Sequence, residues 1–142
     1  MTRLDSNNSS VVADIRHNSN TQWDFLNFVI YLVQSEALKS EDVLVMDNAS
    51  VHIASDSWDI VVGILKAAGV RICFLLTYSP ELNAAEFVFQ KIKSYIRTHR
   101  SHNDNLHFDT IEAICSITKI QMWGFYKKAL FGWLKQFSNN KY

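Results

Sequence analysis

The chain has 142 residues, 48% of them apolar and 13% aromatic, with Gly 4 and Pro 1; such a composition builds one domain with a sizeable core and excludes a disordered or low-complexity chain. No apolar run approaches the roughly 20 residues of a membrane span, and the polar opening MTRLDSNNSS shows no secretory signal, so an intracellular protein, neither secreted nor in a membrane, is expected. The net charge of +0 divides unevenly, with five basic and eleven acidic residues up to Glu86 and nine basic and three acidic residues after it; the C-terminal half suits an anion, or simply carries solvated helix faces.

Residues 5–16 end in SSVVADIR, which predicts a short strand, and HNSN after it reads as a turn. Thr21 and Asp24 have capping-box spacing. Phe25, Phe28, Val29, Leu32 and Val33 then mark the buried face of a helix of about 17 residues, which LKSED breaks. VLVM (43–46) is too short for a helix and predicts a strand buried on both faces, with DNASVH after it as a polar turn. A helix is expected from about Asp56 to Ala68, stopped by Gly69, and VRICFLL (70–76) reads as a second buried strand. The turn in TYSPELN leads into a helix capped by Asn83. RSHNDNLH (100–107) reads as a loop, Asp109 and Glu112 form another capping pattern, and helix in two pieces follows to about Leu134. Cys73 and Cys115 lie far apart in apolar stretches and read as reduced core residues. The order predicts an α/β fold of three strands with flanking helices, in a single domain over 1–142, with parallel pairing. In such sheets a site lies at the carboxyl ends of the strands.

Two carboxylates stand where chemistry is expected. Asp47 follows the VLVM strand; it fits a magnesium ligand on a rigid strand end, and equally a turn residue. Glu86 falls at the third helical position after Asn83, which fits a reciprocal helix cap. On the helix wheel, however, Gln90, Lys93, Arg97 and Arg100 lie within roughly 40° of Glu86. Val88, Phe89, Ile92, Tyr95 and Ile96 take the other side, expected to pack on the sheet. A face that opens on one carboxylate and continues as a basic row roughly 20 Å long can hold a cation at its start and track phosphates beyond it. Two carboxylates brought together would share one divalent ion or two ions about 3.5–4 Å apart. His52 is a candidate to orient Asp47 or touch phosphate, or is a plain turn histidine. Trp123, Phe125, Tyr126, Phe131 and Trp133 have spacing that fits a core, an interface or base stacking. No Walker loop, dinucleotide glycine turn, nucleophile elbow or zinc-like histidine spacing is present.

Two segments carry a family resemblance. VLVMDNASVH (43–52) resembles the second-aspartate motif of mariner-type transposases, a strand followed by Asp-Asn-Ala-x-x-His. YSPELNAAEFVFQKIKSYIR (78–97) resembles their third-carboxylate motif, Tyr-Ser-Pro-Glu/Asp-Leu-Asn-Pro-x-Glu and a lysine-bearing helix, with 38 residues between Asp47 and Glu86. The resemblance spans roughly residues 10–134 and implies the DDE endonuclease superfamily with its ribonuclease-H-like fold. It implies Asp47 and Glu86 as catalytic metal ligands, Lys93, Arg97 and Arg100 on DNA, and Asn48 and His52 in support. It also implies Mg2+ or Mn2+, two ions in the complete site, with transposon ends and target DNA as partners. A homodimer in the full-length family and residence with DNA, in the nucleus of a eukaryote, complete the expectation.

The departures shape the functional reading. The family's first catalytic Asp has no counterpart here, Asp14 being on the wrong strand, and the first two strands of the fold are expected to be missing. Thr77 and Ala84 stand where the family motif has Pro. The expected protein is the C-terminal part of a transposase catalytic domain, a DNA-cleaving and strand-transfer module that is inactive alone. The alternative is a non-catalytic DNA-binding or interaction remnant of a decayed element.

Overall fold

The structure is a computed structural model that describes residues 2–5, 11–16, 19–47, 56–76, 79–99 and 105–139. In chain order its elements are β1 (Thr2–Asp5), β2 (Val12–Ile15), α1 (Gln22–Gln34), β3 (Val43–Met46), α2 (Trp58–Ala67), β4 (Arg71–Phe74), a 3-10 turn (Pro80–Leu82), α3 (Ala84–His99), α4 (Leu106–Cys115) and α5 (Lys119–Asn139). They form two compact units, Arg16–Tyr78 and Met1–Ile15 with Ser79–Tyr142. The α/β character is as expected, but the described strands number four where three were predicted. The additional one, β1, pairs antiparallel with β2, Thr2 opposite Ile15 and Asp5 opposite Val12.

In the unit Arg16–Tyr78, β3 and β4 pair in parallel, Val43 opposite Arg71 and Met46 opposite Phe74. Helices α1 and α2 cover one face of the pair. Leu26 and Val29 of α1, Val61 and Leu65 of α2 and Val70 form the buried core, with Leu44 and Ile72 packed against it from the strands. The expectation that VLVM is buried on both faces is corrected, because Val43 and Val45 are exposed. Side chains alternate across a strand, and within this unit the helices lie on the Leu44 and Ile72 side.

Helix α1 starts where predicted. Thr21 Oγ1 accepts from the Asp24 amide, and the Asp24 carboxylate accepts from the Thr21 N–H at 2.9 Å. The Thr21 amide and hydroxyl, and then the Arg16 guanidinium, hold the Asp24 carboxyl below the usual carboxylate range. The helix has 13 residues, short of the expected 17 or so, because Ser35 closes it: its hydroxyl donates to Tyr31 O at 2.7 Å. A side chain that satisfies a terminal carbonyl in this way competes with a further turn.

Helix α2 ends as predicted, with Gly69 in the left-handed region at φ 73°. A β-carbon there would also come 2.6 Å from Ser40 Oγ. Gly69→Ala is therefore expected to destabilise the protein by about 1–3 kcal/mol, as a fall in urea midpoint at unchanged slope.

In the other unit, Val88 of α3, Ile117 between α4 and α5, and Met122 of α5 make a buried cluster, with Val11, Ile92 and Phe125 against it. The apolar side of α3 was expected to pack on a sheet; within this unit it packs on Ile117, on Met122 and Phe125 of α5, and on Val11 beside β2. Phe89, expected inside, is exposed, and Phe87 is buried in its place. Helix α4 begins before Asp109: Asn105 Oδ1 accepts from the Phe108 amide at 3.2 Å and so caps it, while Asp109 sits buried in the first turn. The two-piece helix is as expected, and α5 is opened by a reciprocal cap between Thr118 and Gln121, at 3.0 and 3.2 Å. Cys115, expected in a core, is exposed at the end of α4, while Cys73 is half-buried; both are free thiols.

Candidate functional site

Asp47 is placed by the strand pair. The Leu75 amide donates to Met46 O at 2.8 Å, continuing the ladder to the last residue of β3. Asp47 follows immediately, exposed at the carboxyl end of that strand. Asn48 and His52 lie outside the described residues.

Glu86 is placed by the approach to α3. Pro80–Leu82 forms a 3-10 turn, and Leu82 is buried under α5. Gly132 of α5 makes this possible, since a β-carbon there would stand 2.9 Å from Leu82 Cδ2. The turn takes up the Asn83 amide, which donates to Pro80 O at 3.0 Å. Asn83 then caps α3 with its side chain, accepting from the Ala85 amide at 3.0 Å, and the Glu86 amide donates to Asn83 O at 3.1 Å.

The predicted reciprocal cap is therefore only half made. The return bond from the Glu86 carboxylate would need the Asn83 amide, and the 3-10 turn has already used it. Among the described residues no hydrogen bond or ion pair satisfies the half-buried Glu86 carboxylate. This contrasts with Thr21/Asp24 and Thr118/Gln121, where both halves of the box are present.

Beyond Glu86, Gln90, Lys93 and Arg97 are exposed along α3. The Arg97 Nε–H donates back to Lys93 O at 3.3 Å. Neither cation has an acidic partner among the described residues. Arg100 lies outside them, as do Thr77 and Tyr78 of the motif. Phe89, which hydrophobic periodicity had assigned to the core, stands exposed within one turn of Glu86; the signal that could have found it is its wheel position, only about 60° from Glu86.

Asp47 belongs to the unit Arg16–Tyr78 and Glu86 to the unit that contains Ser79–Tyr142. Among the described residues, no three His, Cys, Asp or Glu side chains form a metal cage by themselves. None of the described helices is long and apolar enough to cross a membrane.

A comparison with curated proteins gives no match. Residues 1–109 match the family model described as DDE superfamily endonuclease. That stretch is more than three quarters of the chain and contains both carboxylates and the basic row, and the chain thus belongs to this family of transposase-like, divalent-metal-dependent nucleases that act on DNA.

Proposed function

We propose that Asp47 and Glu86 are the second and third carboxylates of a mariner-type DDE triad, and that residues 1–142 form the C-terminal part of one ribonuclease-H-like catalytic domain. Glu86 carries the reading. A carboxylate in the first turn of a helix is ordinarily a cap or a dipole partner. Here the capping is done by Asn83, and Glu86 is left half-buried with no hydrogen-bonding partner among the described residues.

The donor set fits a hard divalent cation. Mg2+ is commonly held by one or two protein carboxylates, with water and substrate phosphate completing its shell. Asp47 and Glu86 would each supply a carboxylate ligand to Mg2+ or Mn2+, two ions in the complete site, and the metal would supply polarisation of a phosphodiester and easier ionisation of an attacking water. The chain's own residues act around that chemistry. Lys93, Arg97 and Arg100 hold the DNA backbone in register with the carboxylates. Asn48 and His52, just after Asp47, support its orientation. Transposon ends and target are the DNA, and a full-length homodimer is the acting form.

The test is Mn2+ binding by water proton relaxation, in the presence of a short DNA duplex. Asp47→Asn and Glu86→Gln are each expected to raise the apparent Kd at least about tenfold, a loss of roughly 1.4 kcal/mol. If both variants bind Mn2+ as the parent does, the shared site is wrong, and a DNA-binding remnant without metal chemistry is the better reading. In a nicking assay with supercoiled DNA and either metal, the chain alone is expected to leave the plasmid intact, because it supplies two of three carboxylates. Nicking that is strong in the parent and lost in Glu86→Gln would bring another acid into the site, Asp14 first.

A further inference from the structure

We infer that the exposed face of α5 is the contact surface for a second copy of the chain, paired antiparallel. Ile120, Trp123, Lys127, Leu130 and Leu134 follow one another at intervals of three and four residues, the spacing of a coiled-coil seam. Phe131 lies beside them. The opposite side of the helix is already used, since Met122, Phe125 and Ala129 face into the unit's own packing. The outer side is nevertheless apolar: Ile120 is 84% exposed, Trp123 63%, Leu130 59%, Phe131 61% and Leu134 56%. This surface lies beyond the matched residues 1–109, and the inference does not depend on the metal site.

Area argues for a protein partner of this kind. With aromatic side chains of about 150–250 Å² each, the face offers on the order of 800 Å², the contribution of one partner to a standard interface. It also exceeds the roughly 300–600 Å² of the largest apolar patch on a typical monomer.

Lys127 sets the direction. It is the single charged residue in the seam, at its midpoint. In a parallel pair it would face Lys127 of the second copy. In an antiparallel pair with the two-fold axis between residues 128 and 129, Lys127 lies opposite Leu130 of the second copy, and Trp123 opposite Leu134. The apolar stem of Lys127 then packs in the seam and its ammonium reaches the rim. It is already turned toward the Trp123 ring, with Nζ 5.6 Å from the centroid, which offsets part of the charge. Antiparallel helices also oppose their macrodipoles favourably.

Sedimentation equilibrium of the full chain tests this. A monomer–dimer equilibrium is expected. Leu130→Glu should raise its Kd at least about a hundredfold, since each dimer would bury two carboxylates without partners. Lys127→Leu, which completes the apolar seam and leaves the fold's own core untouched, should lower the Kd about tenfold. Val45→Glu, on the exposed face of the strand pair, should leave the Kd unchanged. A chain that is monomeric throughout overturns the proposal. So does a dimer indifferent to both Leu130→Glu and Lys127→Leu, or one dissolved by Val45→Glu instead.

Discussion

Leu65→Ala is expected to lower stability by about 3–5 kcal/mol, the upper part of the range for leucine truncation in a packed core. Leu65 is fully buried between α1, α2 and the strand pair, among Leu26, Val29, Val61 and Val70. The site has little freedom to collapse around the cavity. The Leu65 carbonyl accepts from the Val70 amide at 2.9 Å, and Arg71 and Leu75 are tied to the end of α1's loop and to β3 by further backbone bonds of 2.9 and 2.8 Å. At roughly 0.05–0.15 kcal/mol per residue, a unit of this size has only a few kcal/mol in total, so the variant is expected to be largely unfolded in this unit. Ile60→Ala on the same helix is the comparison. Ile60 is exposed, and its truncation should cost no more than about 0.5 kcal/mol. Urea unfolding followed by far-UV circular dichroism separates the two, and equal costs would mean that the core is misassigned. The functional consequence follows from β3, whose last residue precedes Asp47. A unit that has lost its core cannot hold that carboxylate at a strand end, so the divalent-ion binding proposed for Asp47 is expected to disappear with the same urea midpoint.

The legible parts of the fold were those with a local cause. Thr21 and Asp24, three apart before an apolar run, announce a cap that the backbone then makes. Gly69 announces a helix stop because only glycine adopts its φ without strain. Helix boundaries failed where a second local bond competed, as at Ser35, whose hydroxyl ends α1 early. They failed again at Asn105, which caps α4 four residues before Asp109. Burial was less legible. VLVM reads as a strand covered on both sides, but how many layers cover a strand is decided by distant segments, not by its own four residues. Phe89 shows the same limit from a helix, since its apolar side chain says nothing about whether a neighbour is present. At the candidate site, the positions of Asp47 and Glu86 were readable from motif spacing. That Glu86 does not cap its helix was not readable, because it depends on the 3-10 turn consuming the Asn83 amide.

Replacing Lys93, Arg97 and Arg100 together with alanine is expected to reduce the salt dependence of DNA binding by about 2.7 units in the slope of log K against log salt, at about 0.9 per phosphate contact. Across a rise from about 50 to 200 mM salt, the parent would then lose roughly 40-fold more affinity than the variant. The expectation rests on the charge pattern of one helix face. A face built only to be solvated gains from alternating signs at i and i+4, whereas the row on α3 opens on a carboxylate and thereafter carries neutral Gln90 and cations, with no further acid. Lys93 and Arg97 are exposed and without acidic partners among the described residues. Among the described residues, Arg97 has only its bond to Lys93 O, at the long distance of 3.3 Å, to surrender when it turns to a phosphate. Single variants should each lower the slope by about 0.9, whatever the DNA sequence, because phosphate contacts position the duplex and do not read it. The Glu86→Gln variant separates this row from the proposed metal site. Without metal it should bind DNA slightly better than the parent, by removing a negative charge from the start of the row, while the slope from the three cations stays in place. A triple alanine variant whose slope equals the parent's would show that the row is a solvated face, and that the basic excess of the C-terminal half acts elsewhere.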